Sequence, residues 1–230
     1  MVRLIIDTDI GGDCDDAGAI AVAHALADAG KCELVAMTSC TSRDHAPGCL
    51  EIINRYYGRS DIPIGACKRE GFLDDPDIPY YSQIVCGEFE HTLKKHSDCP
   101  DAVALLRKMM AESEDQSLTL VGIGPQNNLA ALLQSQPDAY SSQDGIALVR
   151  QKVDLAVLMA GCFDPSMEQV DGEWNVVQDI PSARFVAAYW PTPMVYSPFE
   201  LGVRLLTGEQ LYLGEKNNPV RRSYEGCLQQ

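Results

Sequence analysis

Short apolar runs alternate with helix-period stretches along most of the chain, and this alternation restricts the fold more than any other feature. LIID at 4–7, ELVAMTS at 33–39, IPIGA at 62–66, SLTLVGIG at 117–124, VDLAVLMAG at 153–161 and PMVYS at 193–197 read as strands. Helical patterns are expected over 16–29, 46–57, 99–112, 126–134 and 181–189, the first two stopped near Gly30 and Gly58. Positions 68–88 are rich in Gly, Pro, Asp and Tyr and read as one long loop. Continuously apolar strands separated by helices imply a mostly parallel sheet covered on both faces. A chain of 230 residues fits one such α/β domain, 1–230. Ligands in these sheets bind beyond the carboxyl ends of the strands. The polar segments fall there: an acidic turn after strand one, TSCTSRD after strand two, GPQNN after strand four and GCFD after strand five.

Composition removes several classes of partner. A formal charge of −15 argues against nucleic acid or an anionic membrane surface as the main partner. The nine cysteines are odd in number and form no CxxC pair, so neither a zinc knuckle nor a disulfide framework is supported, and reduced thiols are expected. Cys32, Cys40, Cys67 and Cys162 lie in or beside apolar runs, where cysteine acts as a small hydrophobe. The apolar start MVRLII is too short for a signal peptide, and no window nears the roughly 18 apolar residues that span a bilayer. A cytoplasmic protein is the expectation.

The turn after the first strand carries the chemistry. Residues 4–17, LIIDTDIGGDCDDA, contain five aspartates, Asp7, Asp9, Asp13, Asp15 and Asp16, and no Lys or Arg lies between Arg3 and Lys31 to offset them. One or two would serve as helix caps, since acids favour a helix N-terminus. Five crowded carboxylates call for protons or a cation. Oxygen ligands on a compact turn suit Ca²⁺ or Mg²⁺, and Gly11 and Gly12 let the backbone turn sharply. The twelve-residue EF-hand pattern is missing. An ion-activated water beside a carboxylate makes a nucleophile, which points to hydrolysis rather than ion storage.

The segment DTDIGGDCDDAGAI resembles the N-terminal signature DxDxGxDD of the inosine-uridine type nucleoside hydrolases, with two extra residues before the final Asp pair. LTLVGIGPQNNLAALL is similar to that family's strand-GPxTN-helix segment, VDLAVLMAGCF to its apolar strand ending in Met-Gly-Gly, and GEWNVVQDIPSARFV to its AEFNxxxDPxAA segment. The resemblance implies a nucleoside hydrolase-like α/β fold, short at the C-terminus relative to the family, and cleavage of the N-glycosidic bond of ribonucleosides with a Ca²⁺ cofactor. It implies that Asp9 binds calcium and acts as general base toward the coordinated water. Asp16 would be the second calcium carboxylate, and the backbone carbonyl of Asn127, where the family has Thr, a further ligand. Asp15, Glu173 and Asn175 would bind sugar hydroxyls, Met159 would line the pocket, and Asp7 would support the turn. Asp13 receives no role. Relatives form dimers or tetramers, so a homo-oligomer is expected, with a small nucleoside as substrate.

Two departures bear on this transfer. Arg43 stands about where the family commonly has a sugar-binding Asn, placed either to pair with an aspartate of the cluster or to reach the substrate. The family takes its last calcium carboxylate from a C-terminal segment, and no Asp follows Asp179 here. His45 is the best of four histidines as a site residue; His24 reads as packed or surface, His91 and His96 as surface. Tyr80 and Tyr81 either close over a nucleobase or pack. A rival reading is a catalytically weak or inactive protein that binds calcium or a riboside. A haloacid-dehalogenase-type phosphatase would share the DxD after strand one, but leaves GPQNN and EWN unexplained.

Overall fold

Strand β1 (Val2–Thr8) opens the chain, followed by α1 (Asp15–Asp28), β2 (Cys32–Ser39), α2 (His45–Tyr56), β3 (Ile64–Ala66), α3 (Tyr81–Glu88), a 3₁₀ turn at His96–Asp98 and α4 (Ala102–Ala111). Then come β4 (Leu118–Gly122), α5 (Asn127–Gln134), α6 (Gly145–Lys152), β5 (Val153–Met159), α7 (Trp174–Val177), α8 (Ile180–Tyr189) and β6 (Met194–Ser197). Three short helices, α9 (Phe199–Gly202), α10 (Glu209–Leu213) and α11 (Pro219–Cys227), follow the last strand. This computed structural model describes residues 1–167 and 172–228.

The six strands form one sheet in the order β3-β2-β1-β4-β5-β6, and every neighbouring pair is parallel. Parallel strands need crossovers, and the helices supply them. Successive side chains on a strand point to opposite faces. Ile5 on β1 therefore enters one core, with Leu106, Met110, Leu120, Leu129 and Val149. Its neighbour Ile6 enters the other, with Ile20, Met37, Leu50 and Ile53. The expected single α/β domain with a parallel sheet between two helical layers is what the chain forms. No helix among the described residues is long and apolar enough to cross a membrane.

Several elements differ from the sequence reading: α7, α9, α10 and α11 have no counterpart in it, and three others differ for identifiable reasons. Residues 81–88, expected as loop, form α3, because Tyr81, Ser82 and Val85 share a face buried against neighbouring elements. Helix α6 has no counterpart in the expected pattern; its start is fixed by Asp144, whose carboxylate accepts the Ala147 amide at 2.8 Å. Helix α4 begins three residues after the expected position, because Pro100 precedes Asp101, the residue that caps the Ala104 amide at 2.9 Å.

Arg107 on α4 is buried and organises the connection between α5 and α6. Its guanidinium donates to Asp138 Oδ2 at 2.7 Å, Ser135 Oγ at 2.8 Å and the Gln143 carbonyl at 2.9 Å. The Arg107 hydrogen bond holds the Asp138 carboxyl down at about 2. A carboxylate depressed in the folded state stabilises above its unfolded value near 4 and loses that contribution as pH falls toward its folded value. Asp138→Asn is expected to lower the unfolding free energy at neutral pH by about 1–2 kcal/mol. Denaturant titrations from pH 5 to 2 should show the wild type losing more stability than the variant, and parallel curves would remove the assignment.

Candidate active site

The strand order reverses between β1 and β4, since β1 connects toward β2 on one side and β4 toward β5 on the other. A crevice opens at such a switch point beyond the carboxyl ends. The acidic turn leaves β1 there and GPQNN leaves β4. The close approach of the two chains requires glycine: a Cβ at Gly124 would lie 2.7 Å from Asp9 Oδ1 and 2.8 Å from the Asp9 nitrogen. Gly11 turns the backbone at φ +124°, and a Cβ there would meet Ser82 Oγ at 2.6 Å.

The aspartates divide by depth. Asp7 is buried behind the turn, where its Oδ1 accepts from Thr38 Oγ1 at 2.5 Å and Asn128 Nδ2 at 2.8 Å. Burial pushes its carboxyl up to about 7 against the pull of those two donors. Asp9 is also buried and pushed up to about 7, by desolvation first and the charge of Asp13 next, while Arg43 pulls it down. Asp16, in the first turn of α1, accepts from Thr8 Oγ1. Burial, and then the charges of Asp9, Asp15 and Asp13, raise its carboxyl well above the usual range. Asp13 and Asp15 reach the surface, and each places an oxygen within 4.8 Å of the other and of Asp16. Asp9 stands outside that trio.

The other residues singled out from the sequence are spread around the same edge. Asn127 opens α5 and donates to the Cys40 carbonyl at 2.9 Å and Cys67 Sγ at 3.3 Å. Its Oδ1 is a buried acceptor with no hydrogen-bond donor among the described residues. Glu173 caps α7, and its carboxylate accepts from the amides of Asn175 at 2.8 Å, Val176 at 3.1 Å and Gly161 at 2.9 Å. Asn175 donates to the Met159 carbonyl at 3.0 Å, the Met159 sulfur at 3.1 Å and the Ile123 carbonyl at 3.3 Å. That contact ties α7 to the end of β4, beside Gly124.

A cleft of about 650 Å³ opens over the turn, lined by Asp9, Asp13, Arg43, Leu73, Tyr80 and Trp174 among others. Glu173 faces a separate cavity of about 480 Å³ with Gly161, Cys162 and Phe163. The segment EWN thus divides between two cavities. Among the described residues Arg43 hydrogen-bonds no carboxylate; its Nη1 donates to the Asp9 carbonyl and its Nε to the Leu73 carbonyl, both at 2.7 Å. Tyr80 lies under the guanidinium at 4.2 Å, while Tyr81 is in the core. His24 is packed, stacked on Tyr57 at 4.6 Å. His45 opens α2 and lines neither cavity, and His96 pairs with Asp44 at 2.8 Å.

Sequence reasoning gave no role to five contributors. Asp13 joins the acidic trio, for which the crowding itself was the signal. Thr8, Thr38 and Asn128 hold the buried carboxylates: Thr38 meets Asp7 across β1 and β2, Asn128 reaches it from α5, and Thr8 bonds Asp16 at the start of α1. Trp174, 57% exposed, presents an aromatic face to the cleft.

The donors on this edge are oxygens: the three clustered carboxylates of Asp13, Asp15 and Asp16, and the buried Asp9. Such a set fits a hard divalent cation, and positive charge would relieve the upward pressure on these carboxyls.

Residues 4–228 match the model of a family described as inosine-uridine preferring nucleoside hydrolase. The pyrimidine-specific ribonucleoside hydrolase RihA of Enterobacter sp. (strain 638) is 30% identical over 194 residues, covering 80% of this chain and 55% of the relative. The RihA of Klebsiella pneumoniae is 28% identical over 189 residues, with 80% and 56% covered. The chain thus spans a little over half the length of these curated relatives. Among solved structures, the plant nucleoside hydrolase PpNRh1 matches with a TM-score of 0.72 at 21% identity, covering 98% of this chain and 69% of that one. The inosine-uridine preferring nucleoside hydrolase from Bacillus anthracis matches at 0.70 and 18% identity, with 98% and 76% covered. At those identities the structures speak to the fold alone, but the family model takes in nearly every residue: the chain belongs to the inosine-uridine preferring nucleoside hydrolases.

Proposed function

We propose that this chain hydrolyses the N-glycosidic bond of ribonucleosides, releasing base and ribose. The observation that carries the reading is the acidic turn at the switch point of the sheet, with Asp9 buried at its base and lining the cleft. Asp9, Asp16 and the backbone carbonyl of Asn127 would hold a divalent ion, calcium by family resemblance, and Asp16 itself clusters with Asp13 and Asp15. When bound, that ion would offset the crowded negative charge and lower the pKa of water.

The chain's own groups supply the rest. Asp9 takes the proton from the attacking water, the role that the family resemblance gives it. Bond cleavage builds positive charge on the ribose, which the surrounding carboxylates stabilise. Asp15 and Asn175 orient the sugar hydroxyls, and Met159 packs beside them. Glu173 already accepts three backbone amides. Of the roughly four lone-pair positions of a carboxylate, about one remains for a hydroxyl. The exposed face of Trp174 offers a stacking surface to the base. Asp74 and Asp75 add further negative charge to the cleft, so neutral nucleosides are accepted over nucleotides.

Release of base from uridine, cytidine, inosine and adenosine, with and without Ca²⁺, tests the reading. Turnover is expected for at least one nucleoside and for none of the 5′-monophosphates. Calcium binding without release from any riboside would instead favour a binding protein. Asp9→Asn should lower kcat by about 10²–10⁴-fold, the usual worth of a general base, with little change in melting temperature. An unchanged kcat would remove Asp9 from this role.

Ion binding has its own readout. Calcium at about 100 times its dissociation constant should add about 2.7 kcal/mol of stability and raise Tm by roughly 5–10 °C. Asp16→Asn should abolish most of that rise. A melting curve indifferent to Ca²⁺, Mg²⁺ and Mn²⁺ alike would overturn the cation site.

A further inference from the structure

We propose that Arg43 is a positioning residue that clamps the 71–80 segment, one wall of the cleft, onto the main chain of the turn bearing Asp9. The inference rests on the hydrolytic reading for its kinetic consequence but not for its geometry. Arg43 is 5% exposed, so its cation is held inside the protein rather than at the rim. One guanidinium bridges two segments distant in sequence: Nη1 donates to the Asp9 carbonyl at 2.7 Å and Nε to the Leu73 carbonyl at 2.7 Å. Tyr80 fixes the plane of the fork, with its ring 4.2 Å from the guanidinium carbon.

The far end of the clamp is a strained point in the backbone. Leu73 has φ +54°, a region costly for a side chain of its kind, and it persists only where its surroundings fix it. Two donors converge on its carbonyl, Arg43 Nε and Tyr80 Oη, the latter at 3.2 Å. Tyr80 Oη also accepts the Asp75 amide at 3.0 Å, closing the segment on itself. Leu73, Asp74, Ile78 and Tyr80 all line the cleft, so the shape offered to a substrate depends on this anchor. Both hydrogen bonds go to main-chain oxygens. The carboxylate of Asp9 is thereby left for chemistry while its backbone is held.

A clamp needs the planar fork. Lysine would keep the charge but not reach two carbonyls in fixed geometry, and methionine would keep the stem alone. The test combines steady-state kinetics on the best nucleoside with amide hydrogen exchange of the free protein, for Arg43→Lys, Arg43→Met and Tyr80→Phe. Both Arg43 variants should exchange amides in 71–80 at least 10-fold faster, with exchange in the strands unchanged. In both, kcat/KM should fall 10–100-fold, mainly through KM. Tyr80→Phe, which keeps the ring but removes one donor to Leu73, should fall between. Wild-type KM and exchange in Arg43→Lys would show that charge alone matters and would overturn the clamp, as would unaltered exchange in Arg43→Met. Should Arg43→Met not fold, Arg43→Lys and Tyr80→Phe decide the matter. A wild type inactive on every nucleoside would sink the hydrolytic reading, and the exchange of 71–80 would then decide the clamp alone.

Discussion

Crowded negative charge at the end of β1 is the constraint around which the rest is arranged. Three carboxylates within 4.8 Å of one another repel pairwise by between about 1 and 3 kcal/mol, depending on how far water reaches between them. Asp9 and Asp16 add the cost of burial, which pushes both carboxyls upward. A turn selected only for stability would shed such groups. Folding tolerates them because the buried members are hydrogen-bonded to neutral donors or held beside a single cation. Thr8 serves Asp16, Thr38 and Asn128 serve Asp7, and Arg43 lies against Asp9. The arrangement keeps strong oxygen donors in place at an energetic cost that a bound divalent ion would offset.

The sheet decides where that charge can be used. In the order β3-β2-β1-β4-β5-β6, chain connections diverge between β1 and β4, and the acidic turn lies there. The approach of β4 is set by Gly124, whose missing side chain lets Asp9 stand against the backbone. Helix α7 is joined to the same edge through Asn175 and the Ile123 carbonyl. Parts of the chain more than 160 residues apart in sequence, Asp9 and Asn175, therefore meet one strand end. Because the elements that carry them are packed on both faces of the sheet, they do so without a flexible assembly step.

Much of this was legible in the sequence because it depends on short-range pattern. Each strand is a continuous apolar run, and each major crossover helix except α6 showed its period or its stop. The acidic turn announced itself through charge that nothing nearby could neutralise. What stayed hidden depends on distant partners. Helix α3 lies in a stretch of turn-forming residues and is stabilised by a face buried against α2 and α11, which no local propensity encodes. Arg107 looks like one more helix-surface cation until Asp138 and the Gln143 carbonyl are brought to it. Glu173 and Asn175 were found as motif residues, yet their hydrogen bonds to backbone show them also holding the local architecture, which a motif alone does not convey.

Arg43 illustrates how the two kinds of information combine. From sequence, a cation near five aspartates suggests an ion pair, and a strong ion pair there would have worked against the site. A guanidinium bound to the Asp9 carboxylate would have occupied the lone pairs that a metal or a proton needs. Taking the carbonyls of Asp9 and Leu73 instead satisfies the buried guanidinium with neutral acceptors and leaves its field to act on the carboxylate at short range. That field weakens the attraction for a divalent ion to some degree, since like charges share the cleft. In return, the same side chain orders a cleft wall that includes a strained residue. A neutral asparagine at this position would spare the ion that repulsion but would offer no fork of donors long enough to join the two segments, so the exchange of one residue for the other trades cation affinity against order in the wall.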